Sequence, residues 1–325
     1  MPPEVTKSEA VPLCIYIAAR GHSGSTTLEL LLNRYPKIAA VGEVDQLPLQ
    51  IVRDGIHTKW VGLCSCGERP LDCAIWRAVF DQVSSSAGID LSENPFGFPV
   101  SDVGLVQEYG RKRPVEYIKY VMHRGVRSVS HRLGLQLPRI FPYRSWVRNR
   151  EIVYRALAKK HGVSAIVDSS KDAMQMSDLS HYSELPVKVL FLTRDVRGNV
   201  WSAVRRKAAS AADEARNWVS VNGLILSRLN VLPKSSWIHV KYEDLCSDTD
   251  ETLSRILDFV DIDCEPVSST QEQARRHTIA GNQIRFSGLD SIRHDLSWQE
   301  NLTEQQIEDI RRLAGPIART LHYEI

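Results

Sequence analysis

Residues 11–33 read VPLCIYIAARGHSGSTTLELLLN. An apolar run of strand length stops at Arg20, a loop of glycine and hydroxyl residues follows, and a helix-forming segment begins at Thr26. Such a strand-loop-helix unit gathers unpaired backbone N–H groups and the positive end of a helix dipole, a ready site for a phosphate-like anion. Ser25, Thr26 and Thr27 add hydroxyl donors. Taken alone, the same residues could simply turn the chain and cap the helix. A nucleoside triphosphate loop would read Gly-x-x-x-x-Gly-Lys-Ser/Thr. Aligned on Gly24, the lysine position holds Ser25 and the first glycine position holds Ala19, so that motif is absent.

Further along, short β-branched runs alternate with longer amphipathic segments, the pattern of a parallel sheet flanked by helices. Strands are expected at 13–18, 164–167, 187–193 and 237–241. Helices are expected at 26–33, 173–184, 197–209, 214–229, 249–260 and 303–321. The stretch of about 120 residues between the first helix and the strand at 164 shows no sheet pattern. At the end of the run KVLFLT stand Arg194-Asp195-Val196-Arg197, with Ser202 eight residues after Arg194. Arg194 at a strand end and Ser202 about two turns into the next helix can meet one phosphate, since a guanidinium fork with a hydroxyl suits a dianion.

This pair of signatures resembles the sulfotransferases, and the resemblance covers about residues 13–50 and 163–325. It implies a three-layer, P-loop-like α/β domain over residues 1–325. It also implies use of 3′-phosphoadenosine 5′-phosphosulfate (PAPS), with 3′,5′-adenosine bisphosphate (PAP) as product and no metal required. By the same likeness Arg20 to Thr27 (Gly21, His22, Ser23, Gly24, Ser25, Thr26) would hold the 5′-phosphosulfate, and Arg194 with Ser202 the 3′-phosphate. Asn33-Arg34-Tyr35-Pro36 followed by Val41-Gly42-Glu43 is similar to the tyrosylprotein branch, which makes Glu43 the candidate base; Asp45 and Asp168 are weaker candidates. Val167-Asp168-Ser169-Ser170-Lys171 matches a segment whose lysine contacts the transferring group, and Tyr242 opens a Tyr-Glu-Asp-Leu turn expected beside the nucleotide. Asn282, Arg285 and Arg293 lie in segments that look like the closing loop of bacterial members. His22 departs from the Lys or Arg of better-known branches. Protonated His22 or Arg20 could supply the missing charge, and the sequence ranks neither.

Sulfuryl transfer needs a base, cationic donors for the sulfuryl oxygens and leaving phosphate, and alignment. The acceptor would be a hydroxyl or amine. Two rival classes remain: a kinase using ATP and magnesium, and a basic binding protein without catalysis on a nucleotide fold.

The 325 residues carry a net charge of +2 and are 43% hydrophobic, an ordinary globular composition. The charge is uneven, because residues 111–150 hold eleven Lys or Arg and one acid, Glu116. Residues 55–150 are expected to form a largely helical, basic insertion on the acceptor side. Its charge favours an anionic acceptor, such as a glycan, lipid headgroup, carrier-bound intermediate or acidic peptide, over nucleic acid. No secretory pattern or apolar run of membrane-spanning length is visible, and six cysteines make no disulfide framework, so a cytoplasmic location is expected. Cys64, Cys66 and Cys73 with His57 offer four soft ligands. The Cys-x-Cys spacing is unusual for zinc, so inert thiols are expected and no metal ligand is assigned.

Overall fold

The structure is a computed structural model that describes residues 11–52, 62–102, 122, 125–127, 129–130, 142–206, 209–289 and 292–325. Five strands, β1 (Leu13–Ala19), β2 (Ile38–Gly42), β3 (Ala165–Lys171), β4 (Val187–Thr193) and β5 (Trp237–Lys241), form one sheet in the order β2-β3-β1-β4-β5. Every pairing is parallel. The chain builds β2 and β3 on one side of β1, then β4 and β5 on the other. A crevice opens beyond the carboxyl end of β1, where that direction reverses.

The longer helices are α1 (Ser25–Leu32), α2 (Ala74–Ala87), α3 (Tyr143–His161), α4 (Ala173–Tyr182), α5 (Val196–Val204), α6 (Ala211–Leu229), α7 (Thr249–Val260) and α8 (Glu304–Thr320). Alternate residues of β1 enter two separate cores. Cys14, Tyr16 and Ala18 pack with Trp76, Tyr154, Trp218 and Ile310 of α2, α3, α6 and α8. Ile15, Ile17 and Ala19 pack with Leu28 and Leu31 of α1 and with Leu253 and Ile256 of α7. A strand covered on both faces must be apolar at every position, which explains the unbroken run at 11–19. The result is the expected three-layer α/β fold.

The expectation of no sheet between α1 and residue 164 is corrected by β2. Its sequence, IAAVG, is short and alanine-rich, so it carries little strand propensity of its own. Tertiary bonds hold it: Ala40 N–H donates to Asn33 Oδ1 at 3.0 Å, and Ile279 N–H donates to Val41 O at 3.1 Å. Three other boundaries shift. β3 runs on to Lys171, and α5 ends at Val204 rather than near 209. α6 starts earlier than expected because the Ser210 side chain accepts from Asp213 N–H.

Most of the basic stretch 111–150 lies outside the described residues, as do residues 53–61. Two of its described arginines are internal. Arg127, 1% exposed, pairs with the carboxylate of Asp178, and Arg150 donates to Gln175 Oε1 at 2.6 Å and to Ser170 Oγ at 3.2 Å. These cations compensate buried polar groups, so not all of the segment's charge faces outward. No helix among the described residues is long and apolar enough to cross a membrane.

Candidate functional site

All five strands deliver residues to one cavity of about 440 Å³ at their carboxyl ends. β1 leads into Gly21, His22, Gly24, Ser25, Thr26 and Thr27, while β2 supplies Glu43, β3 Lys171, β4 Arg194 and β5 Tyr242. Ser202 enters from α5, and Gly281, Asn282 and Ile284 from the C-terminal segment.

The loop's shape follows from its neighbours. Gly24 has φ +90°, and a Cβ there would come within 2.3 Å of the Tyr242 ring, so only glycine fits. It precedes α1, whose first N–H groups receive no side-chain cap, leaving Ser25, Thr26 and Thr27 donors facing the cavity region. Asn199 braces the loop from below, donating to Gly21 O at 3.2 Å and to Ser23 Oγ at 2.9 Å. His22 and Lys171, both non-glycine, sit in the left-handed region with φ +68° and +71°. Such strain persists only where surrounding contacts enforce it.

Lys171 Nζ donates to Glu43 Oε1, so the last residue of β3 and the first after β2 form an ion pair on the cavity wall. Lys171 thus pairs with neither Asp168 nor Asp172. Asp172 caps α4 by accepting from Met174 and Gln175 N–H, and Asp168 accepts from Tyr154 and from Ser170 N–H. Asp168 and Asp45, the weaker base candidates, are buried beneath the site and do not line the cavity. Among the described residues its carboxylates are those of Glu43 and Asp295.

Arg194 is 6% exposed, with its guanidinium 4.8 Å from the centroid of the Tyr242 ring and 3.3 Å from His22 O. Two further cations of the cavity fall outside the sequence motifs. Arg205 lies 3.6 Å from Asp295 Oδ2, and Arg206 donates to His22 Nδ1 at 3.3 Å. Their positions three and four residues after Ser202, on one face of the helix expected at 197–209, were the available signal.

Four sequence candidates are not brought to the cavity. Arg20 turns into the core, where its guanidinium donates to Glu214 and to Asn199 Oδ1. Between the two candidates for the missing loop charge, Arg20 is therefore spent elsewhere, and Arg206 brings a cation next to His22. Ser23 is buried as the partner of Asn199. Arg285, 2% exposed, donates to Leu63 O and to Thr278 O, each at 2.9 Å, and so fixes backbone. Arg293 is exposed and outside the lining set. Asn282 does reach it, and its N–H donates to Thr26 Oγ1 at 3.3 Å, tying the C-terminal segment to the loop.

Beside the Lys171–Glu43 pair lies Glu29 of α1, accepting from Ser169 Oγ at 2.8 Å. Burial pushes its carboxyl up to about 7, opposed by the Ser169 hydrogen bond and the Lys171 charge. The folded state therefore keeps a proton that the unfolded chain releases near 4.5. Stability from this group is fully present below that value and is lost as pH rises towards about 7. Glu29→Gln removes the loss, so the stability of the variant relative to the parent should rise by roughly 1–3 kcal/mol between about pH 5 and about pH 8. Denaturant melts across that range check it, and parallel curves for the two proteins would rule it out.

A parallel sheet with a cavity across its carboxyl edge is the architecture in which open α/β proteins place their ligands. No protein-family profile and no curated protein sequence matches the chain. Solved structures do. The sulfotransferase domain from the curacin biosynthetic pathway is 16% identical, with 97% of this chain and 99% of that one covered, at a TM-score of 0.50. The sulfotransferase domain of the Synechococcus PCC 7002 olefin synthase is 17% identical, with 100% and 98% covered, at 0.46. A sulfotransferase from Mycobacterium avium is 13% identical, with 98% and 79% covered, at 0.45. The first of these likenesses shows that the chain has the fold of the sulfotransferases.

Proposed function

We propose that this protein transfers the sulfuryl group of PAPS to a hydroxyl or amine of an acceptor molecule. One observation carries the reading: a single cavity joins the Gly21–Thr27 loop, the Arg194 and Ser202 couple, and the Glu43–Lys171 pair. The nucleotide's sulfated end would meet the uncapped N-terminus of α1, and its 3′-phosphate would meet Arg194 and Ser202, with Arg205 and Arg206 adding charge nearby. Glu43, the base by likeness to the tyrosylprotein branch, would take the acceptor's proton as oxygen or nitrogen attacks sulfur. Lys171 would donate to the oxygen that bridges sulfur and phosphorus and leaves with the nucleotide. The protein's own cations perform the neutralisation, so the chemistry calls for no metal.

The kinase alternative would need a lysine where Ser25 stands. A thermal-shift comparison separates the two. PAP should stabilise the protein by about 2.7 kcal/mol at a hundredfold excess over its Kd, more than ATP with magnesium does. Arg194→Ala should weaken PAP binding about 10- to 100-fold through loss of a charge-assisted fork. A larger shift with ATP and magnesium would replace this reading by a kinase, and no shift with either would leave a binding protein without catalysis.

A further inference from the structure

Away from the cavity, three thiols and an imidazole converge. The sulfurs of Cys64, Cys66 and Cys73 and a ring nitrogen of His277 all lie within 4.8 Å of one another. His277 Nδ1 is 3.8 Å from Cys64 Sγ and 3.2 Å from Cys73 Sγ. Zinc held tetrahedrally, with Zn–S of about 2.3 Å and Zn–N of about 2.0 Å, sets its ligand atoms about 3.5–3.8 Å apart. The four atoms are thus already near the corners such an ion needs. The three cysteines are unbridged. His57, the fourth ligand suggested by sequence, lies outside the described residues, and His277 joins the thiols from 204 positions beyond Cys73.

The local chain explains the convergence. Gly67 N–H donates to Cys64 O at 2.9 Å, closing a turn in which Gly67 has φ +95°, so one intervening residue suffices to set Cys66 beside Cys64. Cys73 occupies the N-cap of α2 without making a side-chain cap bond, a position where the helix dipole favours thiolate. His277 is held from several sides. Trp76 Nε1 donates to His277 O at 3.0 Å, Ser65 N–H to Thr278 O at 2.9 Å, and Thr278 N–H back to Ser65 Oγ at 2.8 Å. These bonds fix the ligand-bearing segments before any ion arrives.

We propose that Cys64, Cys66, Cys73 and His277 Nδ1 bind one zinc ion in a closed, four-coordinate structural site. Three sulfurs and one nitrogen leave no open position for water or substrate, so the ion's role is to clasp rather than to catalyse. The clasp ties residues 64–73 to residue 277, two positions before Ile279. Ile279 O accepts from Glu43 N–H at 3.0 Å, and Gly281 and Asn282 follow along the cavity wall. An effect of zinc on Glu43 rests on the sulfotransferase reading, whereas the metal site itself does not.

The test is elemental analysis of the full chain, purified without a metal-affinity tag or chelator. About one zinc per chain is expected. Cys66 is the exposed ligand, so Cys66→Ser spares the buried ones; it should fold and lose most of the metal. Cobalt added to the stripped parent should give the intense visible and thiolate charge-transfer bands of tetrahedral cobalt, changed in Cys66→Ser. Folded parent protein with less than about a tenth of a zinc per chain and no thiolate-to-cobalt bands would overturn the site. So would full zinc content in a Cys66→Ser, His277→Ala double variant. The PAP thermal shift of the parent reads the sulfotransferase proposal separately, so failure of one does not imply failure of the other.

Discussion

Replacing Glu43 with Gln should lower the rate of sulfuryl transfer by about 10²- to 10⁴-fold, the range over which a positioned general base acts. PAP affinity should stay within about threefold, because Gln keeps the side chain's size and hydrogen-bonding reach. The placement of Glu43 motivates the expectation. It follows β2, its N–H is bonded to Ile279 O, and its carboxylate stands on the cavity wall. Rival carboxylates are otherwise engaged. Asp295 accepts from Ser297 N–H at 3.1 Å and lies near Arg194 and Arg205, while Asp45 and Asp168 are buried below. Radiolabelled transfer to a generic hydroxyl acceptor, with PAP binding measured in parallel, provides the check. Turnover within about tenfold of the parent would remove Glu43 as the base.

How far the sequence reached depends on what each residue needed. β1, its loop and α1 were legible because the signal is local: an unbroken apolar run, a glycine, then helical periodicity. β2 was not, since IAAVG forms a strand only when Asn33 and Ile279 supply bonds from elsewhere. Arg20 shows a second limit. Its position after β1 is readable, but its direction depends on Glu214 of α6, 194 residues away. The same holds for Arg285, whose guanidinium is claimed by the backbone carbonyls of Leu63 and Thr278. Arg205 and Arg206 could have been found by extending the face of α5 one turn past Ser202. His277 could not have been tied to Cys64 without the fold, because no spacing rule links residues so far apart.

The Lys171–Glu43 pair makes a further demand on the mechanism, because one ammonium cannot serve the base and the leaving group equally throughout the reaction. Under the proposed mechanism, a Glu43 carboxylate that took the acceptor's proton would become neutral and its hold on Lys171 would weaken. The ammonium would then be released towards the oxygen on which negative charge grows. Lys171→Met should therefore lower kcat by about 10²- to 10³-fold, the scale for loss of one preorganised donor. The left-handed backbone at Lys171 aims the side chain from the end of β3, and Met preserves the stem while removing the charge. If proton uptake and charge transfer are linked in this way, the Glu43→Gln, Lys171→Met double variant should be little slower than the worse single variant. Losses that multiply would mean that the two residues act independently. A raised KM for PAPS with unchanged kcat would instead assign Lys171 to holding the nucleotide equally in ground and transition states.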